Sequence, residues 1–396
     1  MTDIKERIKK LSSEYLNEMI RVRRHFHKHP ELAFEEFKTA KFIEARLKAS
    51  GVPFQSGVAK TGIVALIEGT NPSSSCTAIR ADMDALPISE MNDIEYKSVN
   101  TGVMHACGHD VHMTCLLGAA EILQKIRNDF RGTIKLIFQP SEEKYPGGAI
   151  TMINEGVLED PKPSTIFGQH VLPTLESGKI GLRGGKYMAS TDEVFLTVKG
   201  KGGHAATPEL NIDPITISAA IINSLQHIVS RSAPPNIPTV LSFGRIIGDG
   251  HSNIIPDEVT IDGTFRTYDE KWRAEGHRKI RSMANSIAES MGAICDVFID
   301  KGYPFLVNDE KVTQKTKELA INYLGSENVI DLEMRMTGED FAYFSQRVPS
   351  CFYRLGIRNE ELGIISNLHT SDFNIDENSI ETGMGLMAWI AYNEVK

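Results

Sequence analysis

The chain has 396 residues, of which 41% are hydrophobic and 24% charged, and a formal net charge of −9. That length predicts two domains, and the balance of apolar and charged residues is that of a globular protein with a sizeable core, which excludes extensive disorder. The acidic balance, with no basic stripe to offset it, excludes a nucleic-acid partner.

The start, Met1-Thr2-Asp3-Ile4-Lys5-Glu6-Arg7, is charged and helix-like and lacks the apolar core of a signal peptide. No later apolar run approaches the length of a membrane span, so no membrane partner and a cytoplasmic location are expected. Five cysteines (Cys76, Cys107, Cys115, Cys295, Cys351) are odd in number, widely spread and without a CxxC, against a disulfide framework.

In chain order, Ile4, Ile8, Leu11 and Tyr15 share a helical face, and a second helix is expected near 35–49, ending at Gly51. Apolar, β-branched runs at 62–68, 76–82, 132–138 and 164–171 predict strands, interleaved with helices near 112–126 and 147–156. This is an α/β pattern layered about a buried sheet. From about 190 to 303 the order becomes strand 193–199, helix 213–231, strands 239–247 and 258–267, helix 269–290, strand 295–300: βαββαβ, the ferredoxin-like plan. An inserted module is therefore expected, with 1–189 and 304–396 as the two parts of a discontinuous α/β domain that closes with a helix near 378–395.

The chemistry concentrates in His105-Ala-Cys107-Gly108-His109-Asp110-Val-His112 and the adjacent Glu142-Glu143. Thiolate, imidazole and carboxylate together suit a zinc-like ion, and a second carboxylate beside a ligand is what metal-assisted hydrolysis requires. If Cys107-Gly108-His109 is extended, Cys107 and His109 share a face and form one claw. An isolated Cys-x-His is more often a small buried hydrophobe beside a backbone-bonded histidine. His105 reads as supporting a ligand, and His112 as the first turn of a helix. Glu142 and Glu143 follow the strand Thr133–Phe138, at the strand end where α/β proteins place their sites. Their side chains point apart, so one can hold a metal while the other holds the attacking water. His170 ends a strand, and His369 lies in Asn367-Leu368-His369-Thr370-Ser371. Asp82 and Asp84 end another strand, and Asp84 is the favoured acidic partner behind a ligand imidazole. Gly202-Gly203-His204 is a loop presenting one histidine. The triplet His25, His27, His29 is read as structural.

Together these segments resemble the two-metal amidohydrolases that include hippurate hydrolases, indole-acetyl-amino-acid hydrolases and N-acyl-amino-acid deacylases, in the aminoacylase and glutamate carboxypeptidase clan. The likeness runs from Arg24-His25-Phe26-His27-Lys28-His29-Pro30-Glu31-Leu32 through Arg80–Pro87, His105–Asp110, Gln139–Glu143 and Gly202–His204 to Gly338-Glu339-Asp340-Phe341-Ala342-Tyr343-Phe344. It implies a central mixed sheet flanked by helices and two divalent metal ions per subunit, Zn or Mn, with Co or Ni as further options. The ligands it implies are Cys107, His109, Glu143, His170 and His369, with Glu142 as the acid/base. It also implies that the βαββαβ module is a lid that pairs subunits into a homodimer or a dimer of dimers. His204 would then reach the neighbouring subunit's site, with Asn253 and Arg266 contacting substrate. The wider clan has histidine where Asp82 stands and aspartate in the Cys-Gly-His segment. The loop Lys144-Tyr145-Pro146-Gly147-Gly148 departs from a more uniformly Gly-rich stretch.

The expected activity is hydrolysis of N-acyl-amino acids, with a metallo-dipeptidase or carboxypeptidase of the same clan as the alternative. A cysteine hydrolase using Cys107 and a non-catalytic metal-binding protein are the readings from other classes. A zinc deaminase is disfavoured because Pro-Cys-x-x-Cys is missing.

Overall fold

The computed structural model describes residues 4–396, so Met1-Thr2-Asp3 of the expected charged start lies outside the described residues. The chain forms two compact units: Met1–Tyr187 with Val307–Met334 and Asp340–Lys396, and Met188–Leu306 with Arg335–Glu339. The elements of the first stretch are α1 (Ile4–Lys28), α2 (Phe37–Ala49), β1 (Phe54–Val58), β2 (Gly62–Glu68), β3 (Cys76–Asp82), α3 (His109–Lys125), β4 (Thr133–Gln139), α4 (Gly148–Asn154), β5 (Thr165–Glu176), β6 (Ile180–Leu182) and β7 (Gly185–Met188). Then come β8 (Asp192–Lys199), β9 (Gly203–His204), α5 (Pro214–His227), β10 (Thr239–Ile247), β11 (Ile254–Ile255), β12 (Glu258–Thr267), α6 (Glu270–Ser290) and β13 (Ile294–Lys301). The chain ends with β14 (Leu306–Asn308), α7 (Glu310–Leu324), β15 (Val329–Asp331), α8 (Ala342–Ser345), β16 (Ser350–Arg358) and α9 (Ser379–Val395).

The first unit is built on an eight-stranded sheet in the order β1-β2-β4-β3-β5-β16-β6-β15. It is mixed: β4, β3, β5 and β16 run parallel, while β1, β2 and β6 include antiparallel pairings. This is the expected α/β class, a large mixed sheet flanked by helices. β3 and β4 are buried along their whole length, which explains why both read as unbroken apolar runs rather than alternating ones. Helix α3 is buried almost all round, packed against α1 and α9 and over β3. No described helix is long and apolar enough to cross a membrane.

Register fixes where the site forms. Asp82 pairs with Gln139, and Arg80 with Gly168, so the parallel strands β3, β4 and β5 bring Asp82, Gln139 and His170 to one level at their carboxyl ends. The crevice beyond such ends is where open α/β sheets bind their ligands.

The second unit has its own core and a four-stranded antiparallel sheet, β10-β12-β8-β13. Val194, Leu196 and Val198 of β8 alternate inward beneath α5 and α6, the period-two pattern of a sheet covered on one face. Both helices start at aspartates that cap them, Asp213 accepting from Ile215 N and Asp269 from Trp272 N. Two details differ from expectation. β1, with Gly57 inside it and three exposed residues, carried no apolar pattern to read. Arg335–Glu339, expected with the flanking part, belongs to the second unit, where Ala189 N donates to the Arg335 and Thr337 carbonyls.

Candidate metal centre

The strand ends are tied by a buried arginine. Arg80 donates to Asp82 Oδ2 (2.6 Å), Gln139 Oε1 (2.8 Å) and Asp340 Oδ1 (2.7 Å), and Gln139 Nε2 donates back to Asp340. Asp82 Oδ1 lies 2.6 Å from His112 Nδ1, while His112 Nε2 accepts the Val171 N–H at 2.9 Å. The ring therefore carries its proton on Nδ1 and donates it to Asp82. Although Asp82, His109 and His112 are close enough to group as ligands, His112 has no lone pair left for a metal. It lies in the first turn of α3, as expected.

Cys107-Gly108-His109 is not extended. Gly108 is left-handed (φ 84°, ψ 16°) and begins α3, so the claw is made by a turn and not by alternation along a strand. Packing as well as the positive φ calls for glycine here: a Cβ on Gly108 would lie 2.5 Å from Val171 Cγ2. Gly108→Ala is expected to destabilise the protein by about 1–3 kcal/mol through overpacking, with about 1–2 kcal/mol more from the left-handed backbone. A urea unfolding midpoint unchanged from that of the parent would disprove the clash.

His109 Nδ1 donates to the Asp84 carbonyl (2.8 Å), with Asp84 Oδ1 3.2 Å away, which leaves Nε2 as the acceptor nitrogen. The Asp84 carboxylate also takes two consecutive amides, Glu142 N on Oδ1 and Glu143 N on Oδ2, both at 2.9 Å. One aspartate thus sits behind the imidazole, as the sequence suggested, and also holds the glutamate pair. His170 Nδ1 donates to the Val171 carbonyl at 2.8 Å, turning Nε2 toward Cys107 Sγ at 3.4 Å. His369 adopts φ 61°, rare for a non-glycine residue, with its N–H on the Ala106 carbonyl. Its Nε2 lies 3.4 Å from Cys107 Sγ and 3.2 Å from Glu143 Oε1.

Cys107, His109, Glu143, His170 and His369, spread over more than 260 residues of sequence, thus converge. Their donor atoms fall into overlapping groups: Cys107, His109 and His170; Cys107, Glu143 and His369; His109, Glu142 and Glu143. At the centre His109 Nε2 is buried without a hydrogen-bond partner and lies 4.0 Å from Glu143 Oε1, which is also 3.2 Å from His369 Nε2. Buried polar atoms are almost always paired, so an unpartnered ring nitrogen facing a carboxylate oxygen fits a cation between them. The electrostatics agree. Burial, then the Glu143 and Glu142 charges, push the Cys107 thiol well above its usual range. Burial opposes protonation of His109, yet Asp82, Asp84 and Glu143 outweigh it and raise the ring to about 10, so without an ion the surrounding charges favour a proton at Nε2, the position a cation would take. Negative charge is in excess here, and the set of thiolate, imidazole and carboxylate fits a divalent zinc-like ion. A nucleophilic cysteine needs the reverse, an electropositive setting that lowers its pKa.

Three candidates belong to the second unit. His204 is exposed in β9, its Nδ1 accepting the Ala206 N–H at 3.0 Å, so a neutral ring presents Nε2–H outward. Asn253 adjoins it across the β9–β11 pair, its carbonyl accepting from Ala205 N. Arg266 donates through Nη1 to the Met336 carbonyl and through Nε to Thr264.

His105 is a correction. Both its ring nitrogens are buried without a partner, and burial pushes its pKa down to about 3, so it is a neutral packing group and supports no ligand by hydrogen bonding. His27 is structural, as expected, held between Asp110 (2.8 Å) and Glu90 (3.0 Å), and His25 stacks on Phe42.

A description of peptidase family M20/M25/M40 matches residues 78–393. The chain is 44% identical over 304 residues to the N-acyl-L-amino acid amidohydrolase of Geobacillus stearothermophilus, covering 77% of this chain and 81% of that one. It is 38% identical over 384 residues to thermostable carboxypeptidase 2 of Saccharolobus solfataricus, 96% of each. Among solved structures it is similar to a dinuclear metal-binding peptidase of the M20 family from Bacillus subtilis, with a TM-score of 0.82 and 32% identity over 97% of this chain and 100% of that one.

Proposed function

The chain belongs to peptidase family M20/M25/M40, and on that premise we propose that it hydrolyses the amide bond of N-acyl-amino acids with two divalent ions per subunit. The observation that carries this reading is the unpartnered His109 Nε2 facing Glu143 Oε1 beside Cys107, with Glu142 next in the chain. Cys107, His109, Glu143, His170 and His369 are the ligands in this reading. Zn suits the thiolate, and Mn, Co or Ni suit the remaining donors. The bound ions supply Lewis acidity and lower the pKa of water toward about 7.

The chain's own residues do the rest. Glu142 accepts the water proton as the amide carbonyl is attacked, then returns it to the leaving amine. Asp84 fixes His109 through Nδ1, which keeps Nε2 as the ligating atom. His204, through the Nε2–H left by its bond from Ala206, stabilises the oxyanion. Asn253 and Arg266 hold the substrate, the guanidinium facing its carboxylate. In this reading the second unit, Met188–Leu306 with Arg335–Glu339, is a ferredoxin-like lid that also pairs subunits into a homodimer, with His204 serving the neighbouring subunit. Five free cysteines support a reducing, cytoplasmic setting.

The test is a panel of N-acetyl-amino acids and N-benzoylglycine, followed by amine release, before and after chelation and readdition of Zn²⁺, Mn²⁺ or Co²⁺. Chelation is expected to abolish turnover and readdition to restore it. If dipeptides turn over and the N-acyl-amino acids do not, the carboxypeptidase or dipeptidase reading takes over. The likeness to a thermostable carboxypeptidase keeps it in view.

A further inference from the structure

Glu36 is buried, 0% exposed, in a protein whose other glutamates mostly face water. Burial pushes its carboxyl up to about 7, so its position is unfavourable for a charge. Three groups nonetheless converge on it. Oε1 accepts the N–H of Phe34 and the N–H of Ser141, both at 2.9 Å, and Oε2 accepts Thr61 Oγ1 at 2.6 Å.

Ser141 is the residue that matters. It directly precedes Glu142-Glu143 and adopts φ 50°, a left-handed conformation that a non-glycine residue keeps only when its surroundings enforce it. Its N–H goes to Glu36, its carbonyl takes the Gly148 N–H at 2.7 Å, and its hydroxyl donates to the Lys144 carbonyl. The next two amides go to Asp84. Three consecutive N–H groups, of Ser141, Glu142 and Glu143, are therefore held by two buried carboxylates from different parts of the chain. Only one of these, Asp84, lies near a metal-ligand imidazole.

We propose that Glu36 is a positioning residue for the hydrolytic step: by holding Ser141 N–H it fixes the left-handed turn that aims Glu142 at the attacking water and Glu143 at the metal. The inference rests on the roles assigned above to Glu142 and Glu143. It does not depend on which amide is cleaved.

The variants Glu36→Gln, Glu36→Asp and Glu36→Ala separate reach from charge. Gln keeps an Oε1 for both amides and turns its NH₂ to Thr61 Oγ1, which can accept; Asp keeps the charge but falls one methylene short. In the metal-loaded enzyme, Gln is expected to retain kcat within a few-fold, while Asp and Ala lower it by about a hundredfold, the effect of a displacement of about 1 Å at a reacting group. KM should change little, as for a loss confined to the transition state. kcat is read on whichever amide the unaltered enzyme cleaves, with Glu142→Gln as reference. Hydrogen exchange of the peptide spanning 139–145, followed by mass spectrometry, is the second measurement. Exchange should stay slow in the parent and Gln and become fast in Asp, or in Ala if that variant folds. Wild-type kcat in Asp, a Gln variant as impaired as Ala, or unchanged exchange across the series would overturn the inference. Full turnover by Glu142→Gln would instead overturn the functional reading.

Discussion

Glu142→Gln is expected to lower kcat by about a hundred- to ten-thousandfold, the contribution typical of a positioned general base. This corresponds to roughly 3–5 kcal/mol of barrier. The amide side chain has the same shape, and the Glu142 backbone N–H would stay on Asp84 Oδ1. Only the capacity to take a proton from water and return it is lost. Metal content, measured by elemental analysis, should be unchanged, because the imidazole and thiol ligands and Glu143 are untouched. The neighbouring Glu143→Gln should behave oppositely in kind, losing metal together with turnover, since Glu143 Oε1 is the atom facing His109 Nε2 and His369 Nε2. Near-normal turnover in Glu142→Gln, or metal lost to the same extent in both variants, would sink the division of labour between the two carboxylates.

That division is partly a matter of how the buried charges are matched. Asp82 is compensated by Arg80 and His112, and Asp110 by Arg23 (2.9 Å) and His27 (2.8 Å). Asp84 is satisfied by the two glutamate amides. For Asp82 and Asp110 the cationic partners built into the chain outweigh burial and hold the carboxyls below their usual range. Around Cys107 the matching stops: His109 Nε2 has no hydrogen-bond partner, and burial together with the Glu143 and Glu142 charges pushes the thiol well above its usual range. The fold therefore gathers an excess of negative charge where thiol, imidazole and carboxylate donors meet.

Much of this was legible in the sequence, and the parts that were not have identifiable causes. β3 and β4 could be read because strands buried on both faces leave unbroken apolar runs, and the donors at their ends stood out by residue type. The turn at Gly108 could not be read, because the neighbour that excludes a Cβ there, Val171, lies some 60 residues away. The sequence placed His105 as a supporting residue and His112 in a helix's first turn, without saying what either ring touches. One proved to be an unpartnered packing ring and the other a tautomer-fixed bridge between Asp82 and Val171 N–H, a distinction that depends on tertiary neighbours alone. Glu36 carried no signal, since a glutamate in Phe34-Glu35-Glu36-Phe37 reads as helix-start surface. Its burial comes from the β1–β2 turn and the Ser141 turn closing over it.

Cys107→Ala is expected to strip metal before it disturbs the fold. Cys107 is the donor common to two of the ligand groups, one with His109 and His170 and the other with Glu143 and His369, so its loss weakens both. Affinity should fall by more than the roughly 10–100-fold that follows loss of a residue merely supporting a ligand. Turnover should fall with it and recover in part at high Zn²⁺ or Mn²⁺. The apo protein should behave differently. Removing a buried thiol whose ionisation its surroundings oppose deletes one small atom from the interior. The cost should be about 1 kcal/mol, a melting shift of roughly 1–2 °C in a chain of this size. The comparison that decides is melting temperature with and without metal: the metal-dependent increment should shrink in Cys107→Ala while the apo value hardly moves. Under a cysteine-nucleophile mechanism the same variant would be inactive with its full complement of metal, and no added ion would restore it. An unchanged metal stoichiometry would therefore overturn the assignment of Cys107 as a ligand.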